Sequence, residues 1–264
     1  PIYDMDTYGV HSIHGRAPTL ATGIKAVNPD LTVWVVTGDG DGLSIGGNHL
    51  VHCMRRNVDV KILLFNNRVY GLTKGQYSPT SLQGHRTKST PMGSIDYPFN
   101  PMSVAIGAEA TFVARTQDTN TKHLQETLRR AAAHRGTAFV EIYQNCVVYN
   151  PTAWDHTTDS SVRDDNIVYV EEGKPLVYGR DNDKGIRING MIPEIVDVAN
   201  GASDELAVHQ ESLDNSSYAY MLSRMQHPEF PLPFGVLRDV SRPAYTDMLV
   251  DQVKDAVDSG DADL

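Results

Sequence analysis

Cysteine is nearly absent from this chain, whose 264 residues carry only Cys53 and Cys146. Two thiols so far apart in sequence exclude a disulfide framework and suit a reducing compartment. A run of apolar residues long enough to cross a bilayer is also missing, and the opening segment holds Asp4 and Asp6 where a signal peptide needs a basic and then an apolar stretch. The expectation is a cytoplasmic protein without membrane association. Positive charge is in deficit: 23 Lys and Arg stand against 33 Asp and Glu, for a net charge of −10. That balance excludes generic nucleic-acid binding, and the acidic residues gather late, at Asp164-Asp165, Glu171-Glu172 and from Asp251 to Asp263, as solvated surface.

What remains is ordinary for a globular protein, with 40% hydrophobic and 21% charged residues and enough chain to bury a sizeable core. Patterning predicts helices over 17–27, 46–56, 100–107 and 121–135, the last capped at Thr119 or Asn120 and stopped by Gly136. Short apolar runs at 31–36, 58–65, 110–114 and 138–143 read as buried strands. Strands alternating with helices predict an α/β domain over 1–150, a mostly parallel sheet with helices on both faces. After Pro151 the pattern changes. Hairpin strands at 167–170 and 175–178 and helices near 218–225 and 245–257 are expected there, in an extension over 151–264 that packs on the core or on a partner.

Two loops carry the chemistry. Gly38-Asp39-Gly40 follows the first apolar run and Asn66-Asn67 follows the second, so both sit where strands of an open α/β sheet end and ligands gather. The glycines flanking Asp39 allow a close backbone approach, and Asp39 and Asn67 offer hard oxygen donors of the kind Mg²⁺ takes alongside phosphate. Either piece alone is equally an acidic or polar turn. The segment from Asn66 to Phe99, rich in Gly, Ser, Thr and Pro, has no periodicity, and loops that long are often functional.

The spacing resembles the thiamine diphosphate motif, a GDG followed some two dozen residues later by an Asn pair. The longer strings TYGVHSIHGRAP from Thr7, GDGDGLSIGGNHLVHCMRRN from Gly38 and NNRVYGLTKGQYSPTS from Asn66 resemble the β subunits of 2-oxoacid:ferredoxin oxidoreductases, closest to the 2-oxoglutarate type. The resemblance is dense up to about Asn150. It implies a pyrophosphate-type domain holding thiamine diphosphate, with Mg²⁺ on Asp39, Asn67 and the Val69 carbonyl. It also implies oxidative decarboxylation of a 2-oxo acid, with the acyl group passing to coenzyme A and electrons to ferredoxin through iron–sulfur. The cofactor then lies between two domains, and the glutamate that activates its aminopyrimidine ring belongs to the partner α subunit, so no catalytic base is nominated in this chain.

Further residues join these, some by their own chemistry and Leu72, Thr73 and Cys146 by the resemblance. His14-Gly15-Arg16, just before a helix, reads either as a grip on the diphosphate or a substrate carboxylate, or as a capped surface turn. Asp41 would bond the cofactor or orient its loop without touching Mg²⁺. Leu72 and Thr73 are placed beside the cofactor, and Lys74 there would counter an anionic substrate or phosphate, or else be solvated surface. Cys146 stands where family members carry one ligand of a [4Fe–4S] cluster. Such a cluster normally needs four thiolates, and the family's other three lie upstream of Pro1, so the chain reads as lacking its natural N-terminus and as unable to hold a conventional cluster alone. Cys53, mid-helix, reads as core.

Three rivals share these residues. A non-oxidative thiamine diphosphate decarboxylase would keep Asp39 and Asn67 and have no use for Cys146. A dinucleotide-binding module would use Gly38, Gly40 and Gly42 with Asp59 as the ribose-binding acid, although the third glycine is misplaced for that fingerprint. A non-catalytic structural subunit would use none of them.

Overall fold

The computed structural model describes residues 6–198 and 205–260; Asp4, Asp261 and Asp263 of the acidic residues noted above lie outside them. Ala17–Val27 forms α1 over the expected range, with Pro18 in its first turn where a missing N–H costs nothing. Trp34–Gly38 is β1, Asp39–Leu43 the short α2, Gly47–Arg55 α3 and Lys61–Asn66 β2. Pro101–Gly107 forms α4, capped by the Asn100 Oδ1, which accepts from the Ser103 N–H at 3.1 Å. Phe112–Gln117 is β3. Thr121–Ala133 is α5, and of the two caps considered Asn120 takes the role, accepting from the His123 N–H at 3.2 Å. Ala138–Tyr143 is β4.

The residues after 150 do more than pack on this core. Two short helices, α6 at Asp155–Thr158 and α7 at Arg163–Asn166, lead into β5 at Ile167–Val170, followed by β6 at Val177–Tyr178, β7 at Lys184–Asn189 and β8 at Ile192–Asp197. Ser217–Arg224 is α8, Leu232–Asp239 is β9 and Tyr245–Ser259 is α9. The main sheet runs β1-β2-β4-β3-β9-β5, so two strands from the expected extension complete it. All its pairings are parallel except β3 with β9. The hairpin expected between 167–170 and 175–178 does not form: β5 pairs with β9, and β6 pairs with β7 in a separate antiparallel β6-β7-β8 sheet.

Helices cover both faces of the main sheet. Ala21 of α1, Leu50 and Met54 of α3, Met102 and Ile106 of α4 and Leu222 of α8 pack on Ile62, Leu64, Val113 and Phe139. On the opposite face Ala131 and Leu124 of α5 meet Phe112, Ala114, Val140 and Ile142. Adjacent residues such as Phe139 and Val140 thus serve opposite cores, which is why β4 reads as a continuous apolar run. The strand β1 differs from the buried strand expected: it is the sheet edge, and Trp34 and Val36 point to solvent while Val35 and Thr37 are buried. Cys53 is core, as expected, and burial pushes its thiol up to about 11.

At the amino-terminal edge of the sheet Asp59 meets Lys61 at 2.8 Å, Lys25 at 3.1 Å and Arg135 at 3.1 Å. Burial pushes its carboxyl up, but the Lys61 and Lys25 contacts outweigh that and hold it at about 2. A ribose-binding acid belongs at the carboxyl ends of the strands, unpaired. Asp59 sits before β2 and is spoken for, which removes the acid that the dinucleotide reading needs.

A second titrating group lies near the carboxyl ends. The His156 ring stacks on His227 with centroids 4.4 Å apart, and burial, then the His227 and Arg68 charges, hold it down at about 4. The unfolded chain therefore takes up a proton that the fold refuses as pH falls from about 6.5 to about 4. Stability should fall across that window by at most roughly 1.4 kcal/mol per pH unit for this one group. Urea midpoints of the wild type and His156→Gln between pH 7 and 4.5 check this, the variant being expected to show the shallower slope.

Candidate cofactor and metal site

Because β1 and β2 run parallel with Gly38 opposite Phe65, the GDG turn and the Asn pair leave neighbouring strand ends on one edge. Asp39 opens α2 directly from β1 and is 1% exposed. Its Oδ2 accepts from the Ser78 and Thr80 hydroxyls, each at 2.5 Å, and its Oδ1 faces the Asn67 N–H at 3.4 Å. No Lys or Arg lies within ion-pair distance of it among the described residues. Burial accordingly pushes its carboxyl up, against the lowering effect of the two hydroxyls. A buried carboxylate held by hydroxyls and lacking a cation is the donor a divalent ion would complete.

Asn67 is half-buried and its Oδ1 accepts from the Val69 N–H at 3.1 Å, an Asx turn that bends the loop back toward Asp39. Val69 is buried, and among the described residues no hydrogen bond ends on its carbonyl oxygen. Carboxylate, amide and carbonyl oxygens are thus gathered on one short loop and the adjacent strand end, a donor set that fits Mg²⁺. Asn66 does different work. It is 2% exposed, donates to Glu141 at 2.8 Å, accepts from Thr80 at 3.0 Å, and its carbonyl accepts from the Trp154 indole at 2.8 Å.

Asp41 is committed on both oxygens, to the Gly15 N–H at 2.7 Å and the Thr37 hydroxyl at 2.6 Å. It ties the His14-Gly15-Arg16 loop to the strand end and so brings that loop beside the metal loop. Gly15 is buried with φ 72°, and a Cβ there would lie 2.5 Å from the Gly46 N. His14 and Arg16 are exposed, Arg16 donating to the His14 and Ile45 carbonyls at 3.2 and 3.3 Å. Gly15→Ala should therefore cost about 1–3 kcal/mol through overpacking and push the loop off Asp41. Its denaturation midpoint and cofactor affinity should fall together.

The two glycines flanking Asp39 have unequal reasons. A Cβ on Gly40 would fall 2.3 Å from the Tyr70 ring, whose hydroxyl donates to the Gly40 carbonyl at 3.1 Å. The close approach there is by Tyr70 and not by a ligand, whereas a Cβ on Gly38 would meet only the Phe65 carbonyl, at an ordinary 4.0 Å. Tyr70 also begins the tight turn that presents Leu72, Thr73 and Lys74 to solvent, with Lys74 at φ 77°. Cys146 packs at the base of this turn, its Sγ against Gly71, while Cys53 lies in the core, so the two thiols remain apart and free.

Reading the sequence overlooked Ser78, Thr80, Tyr70, Arg68 and Trp154. The hydroxyl-rich string Ser78-Pro79-Thr80-Ser81 in an otherwise aperiodic loop was the available signal for the first two. Trp154 had no local signal: it stacks on Tyr143 at 3.4 Å and under the Arg68 guanidinium at 3.7 Å, a contact made across more than eighty residues of chain.

Hard oxygen donors at the carboxyl edge of a doubly covered α/β sheet are what binding of a metal and a phosphate requires, and comparison with known proteins gives the domain a family. The description "Thiamine pyrophosphate enzyme, C-terminal TPP binding domain" matches residues 2–142. The chain is 50% identical over 266 residues to the 2-oxoglutarate oxidoreductase subunit KorB of Mycobacterium tuberculosis, covering 99% of this chain and 71% of that one. It is 50% identical over 142 residues to the 2-oxoacid:ferredoxin oxidoreductase subunit beta of Saccharolobus solfataricus, covering 54% of this chain and 47% of that one. A solved 2-oxoglutarate:ferredoxin oxidoreductase from Magnetococcus marinus, with 2-oxoglutarate, coenzyme A and succinyl-CoA bound, superposes with a TM-score of 0.74 at 31% identity, over 94% of this chain and 70% of that one. The chain belongs to the thiamine pyrophosphate enzymes and, within them, to the β subunits of 2-oxoacid oxidoreductases of the 2-oxoglutarate type. No helix among the described residues is long and apolar enough to cross a membrane.

Proposed function

We propose that this chain holds the diphosphate end of thiamine diphosphate through Mg²⁺ on Asp39, Asn67 and the Val69 carbonyl, and with its α subunit oxidises 2-oxoglutarate to succinyl-CoA. The buried, cation-free carboxylate of Asp39 beside Asn67 carries this reading. Bound thiamine diphosphate supplies the carbanion chemistry, and the residues here bind and orient it. Asp41 fixes the loop bearing His14 and Arg16, so that a cation and an imidazole stand at the rim of the diphosphate site. Lys74, exposed on its turn beside Leu72 and Thr73, is the substrate-facing cation and would meet the distal carboxylate of 2-oxoglutarate or a phosphate of coenzyme A.

The loops at this edge leave Leu72, Ile95, Tyr97, Val147 and Val148 exposed. Apolar surface of that kind beside a site supports a partner subunit covering it. Cys146 is the cysteine beside this site, and two cysteines in 264 residues cannot by themselves ligate a four-thiolate cluster. Free thiols and the absence of a long apolar helix among the described residues suit a cytoplasmic site of action. Reduction of ferredoxin by the chain assembled with its α subunit, dependent on both 2-oxoglutarate and coenzyme A, tests the reading. Decarboxylation that proceeds without an electron acceptor would favour the non-oxidative rival. Lys74→Ala should raise KM for the anionic substrate about tenfold with little change in kcat, the loss of one charge-assisted contact.

A further inference from the structure

Beside the metal loop, and separate from the Asp39 donor set, a cavity of about 140 Å³ is lined by Asn66, Arg68, Thr80, Arg115, Glu141 and Arg224 among others. Three arginines and a single carboxylate face it. Glu141 is already used on both oxygens, by Arg115 at 2.8 Å and Asn66 at 2.8 Å, with Arg115 and Glu141 each 1% exposed. That pair is neutral as a unit, and among the described residues neither Arg68 nor Arg224 has an ion pair of its own.

Arg68 is the informative one. Its guanidinium lies flat over Trp154 and reaches only the Ala153 carbonyl, at 3.5 Å, and no carboxylate stands within ion-pair distance of it or of Arg224 among the described residues. An arginine does not give up its proton in a protein, so what relieves such a site is an anion. The space has room for several waters, enough for one phosphate or carboxylate group.

We infer that this cavity binds a small oxyanion, held by Arg68 inside and by Arg224 at its exposed mouth. The occupant would touch the metal site indirectly, since Thr80 bonds Asp39 at 2.5 Å and Asn66 at 3.0 Å while lining the cavity. The cavity does not depend on the cofactor reading, and its test keeps the two apart.

The test is calorimetric titration of inorganic phosphate into the assembled oxidoreductase, pre-saturated with thiamine diphosphate and Mg²⁺ so that the diphosphate site is filled, at constant ionic strength. A parallel titration uses succinate. One phosphate or succinate should bind per copy of this chain, and the tighter of the two identifies the natural class as phosphoryl or carboxylate. Arg68→Gln and Arg224→Gln should each weaken that binding at least tenfold. Arg224 is exposed and its replacement will not disturb the core, so it decides the matter if Arg68→Gln folds poorly. Absence of binding by either anion, or wild-type affinity in Arg224→Gln, overturns the proposal and leaves a hydrated cavity. Should thiamine diphosphate itself fail to bind, the same titration on the cofactor-free assembly still reads the cavity.

Discussion

Asp39→Ala lowers the Mg²⁺-dependent affinity for thiamine diphosphate by on the order of 100-fold or more, above the effect of losing a ligand-supporting residue, and abolishes turnover with it. The carboxylate is the one charged group in the donor set, is 1% exposed and, among the described residues, has no Lys or Arg within ion-pair distance. Removing it takes away the charge that would draw a divalent ion into the buried end of β1. The same change frees the Ser78 and Thr80 hydroxyls, but these neighbour each other, at 3.2 Å, and Thr80 keeps its bond to Asn66, so the loop retains partners and the fold survives. Equilibrium dialysis of the cofactor against the assembled wild type and variant, with and without Mg²⁺, measures the change. Unaltered affinity in a folded Asp39→Ala would mean that the metal is held elsewhere.

Glu141→Ala has the largest expected effect on stability. Arg115 and Glu141 lie inside the sheet on adjacent strands, in register on β3 and β4, with only 1% of either exposed. Burying such a pair is costly in itself, but removing one partner leaves the other as an uncompensated charge, at about 3–5 kcal/mol. In a protein of this size that lowers the melting temperature by roughly 10 °C. Asn66 loses its acceptor at the same time, so the metal loop loosens as the fold weakens. The double replacement Arg115→Met with Glu141→Leu should recover most of the loss, because it removes the stranded charge. A melting temperature for Glu141→Ala within a degree or two of the wild type would show that water reaches Arg115.

The two predictions differ in how far the sequence alone could have supplied them. Asp39 and Asn67 were legible because the motif is local: each sits immediately after an apolar run, and consecutive parallel strands put the two runs side by side. Helices α1, α4 and α5 were legible for the same reason, with Pro18 opening the first and Asn100 and Asn120 capping the other two. The strand β9 was not. Its Pro233 and Gly235 read as breakers, and it enters the sheet antiparallel to β3 through a bulge, where Gly235 at φ 128° comes so close to Val170 that a Cβ would meet its carbonyl at 2.5 Å. The β7–β8 hairpin carried the Asn189-Gly190 signal in plain view, in a segment where no strands had been sought. Arg115 lay just past the strand read over 110–114 and Glu141 inside an otherwise apolar run, and only the register between β3 and β4 reveals that each neutralises the other. The Arg68 cavity is assembled from seven separate stretches of chain, so no spacing rule could have announced it.

The central claim is that Asp39, Asn67 and Val69 form a metal-dependent diphosphate site. Titration calorimetry of thiamine diphosphate into this chain assembled with its α subunit, with Mg²⁺ and then with a chelator, tests it most directly. The account predicts one cofactor bound per chain in the presence of the metal and almost none without it. Binding of equal strength in both conditions, or no binding by a folded assembly, would contradict it.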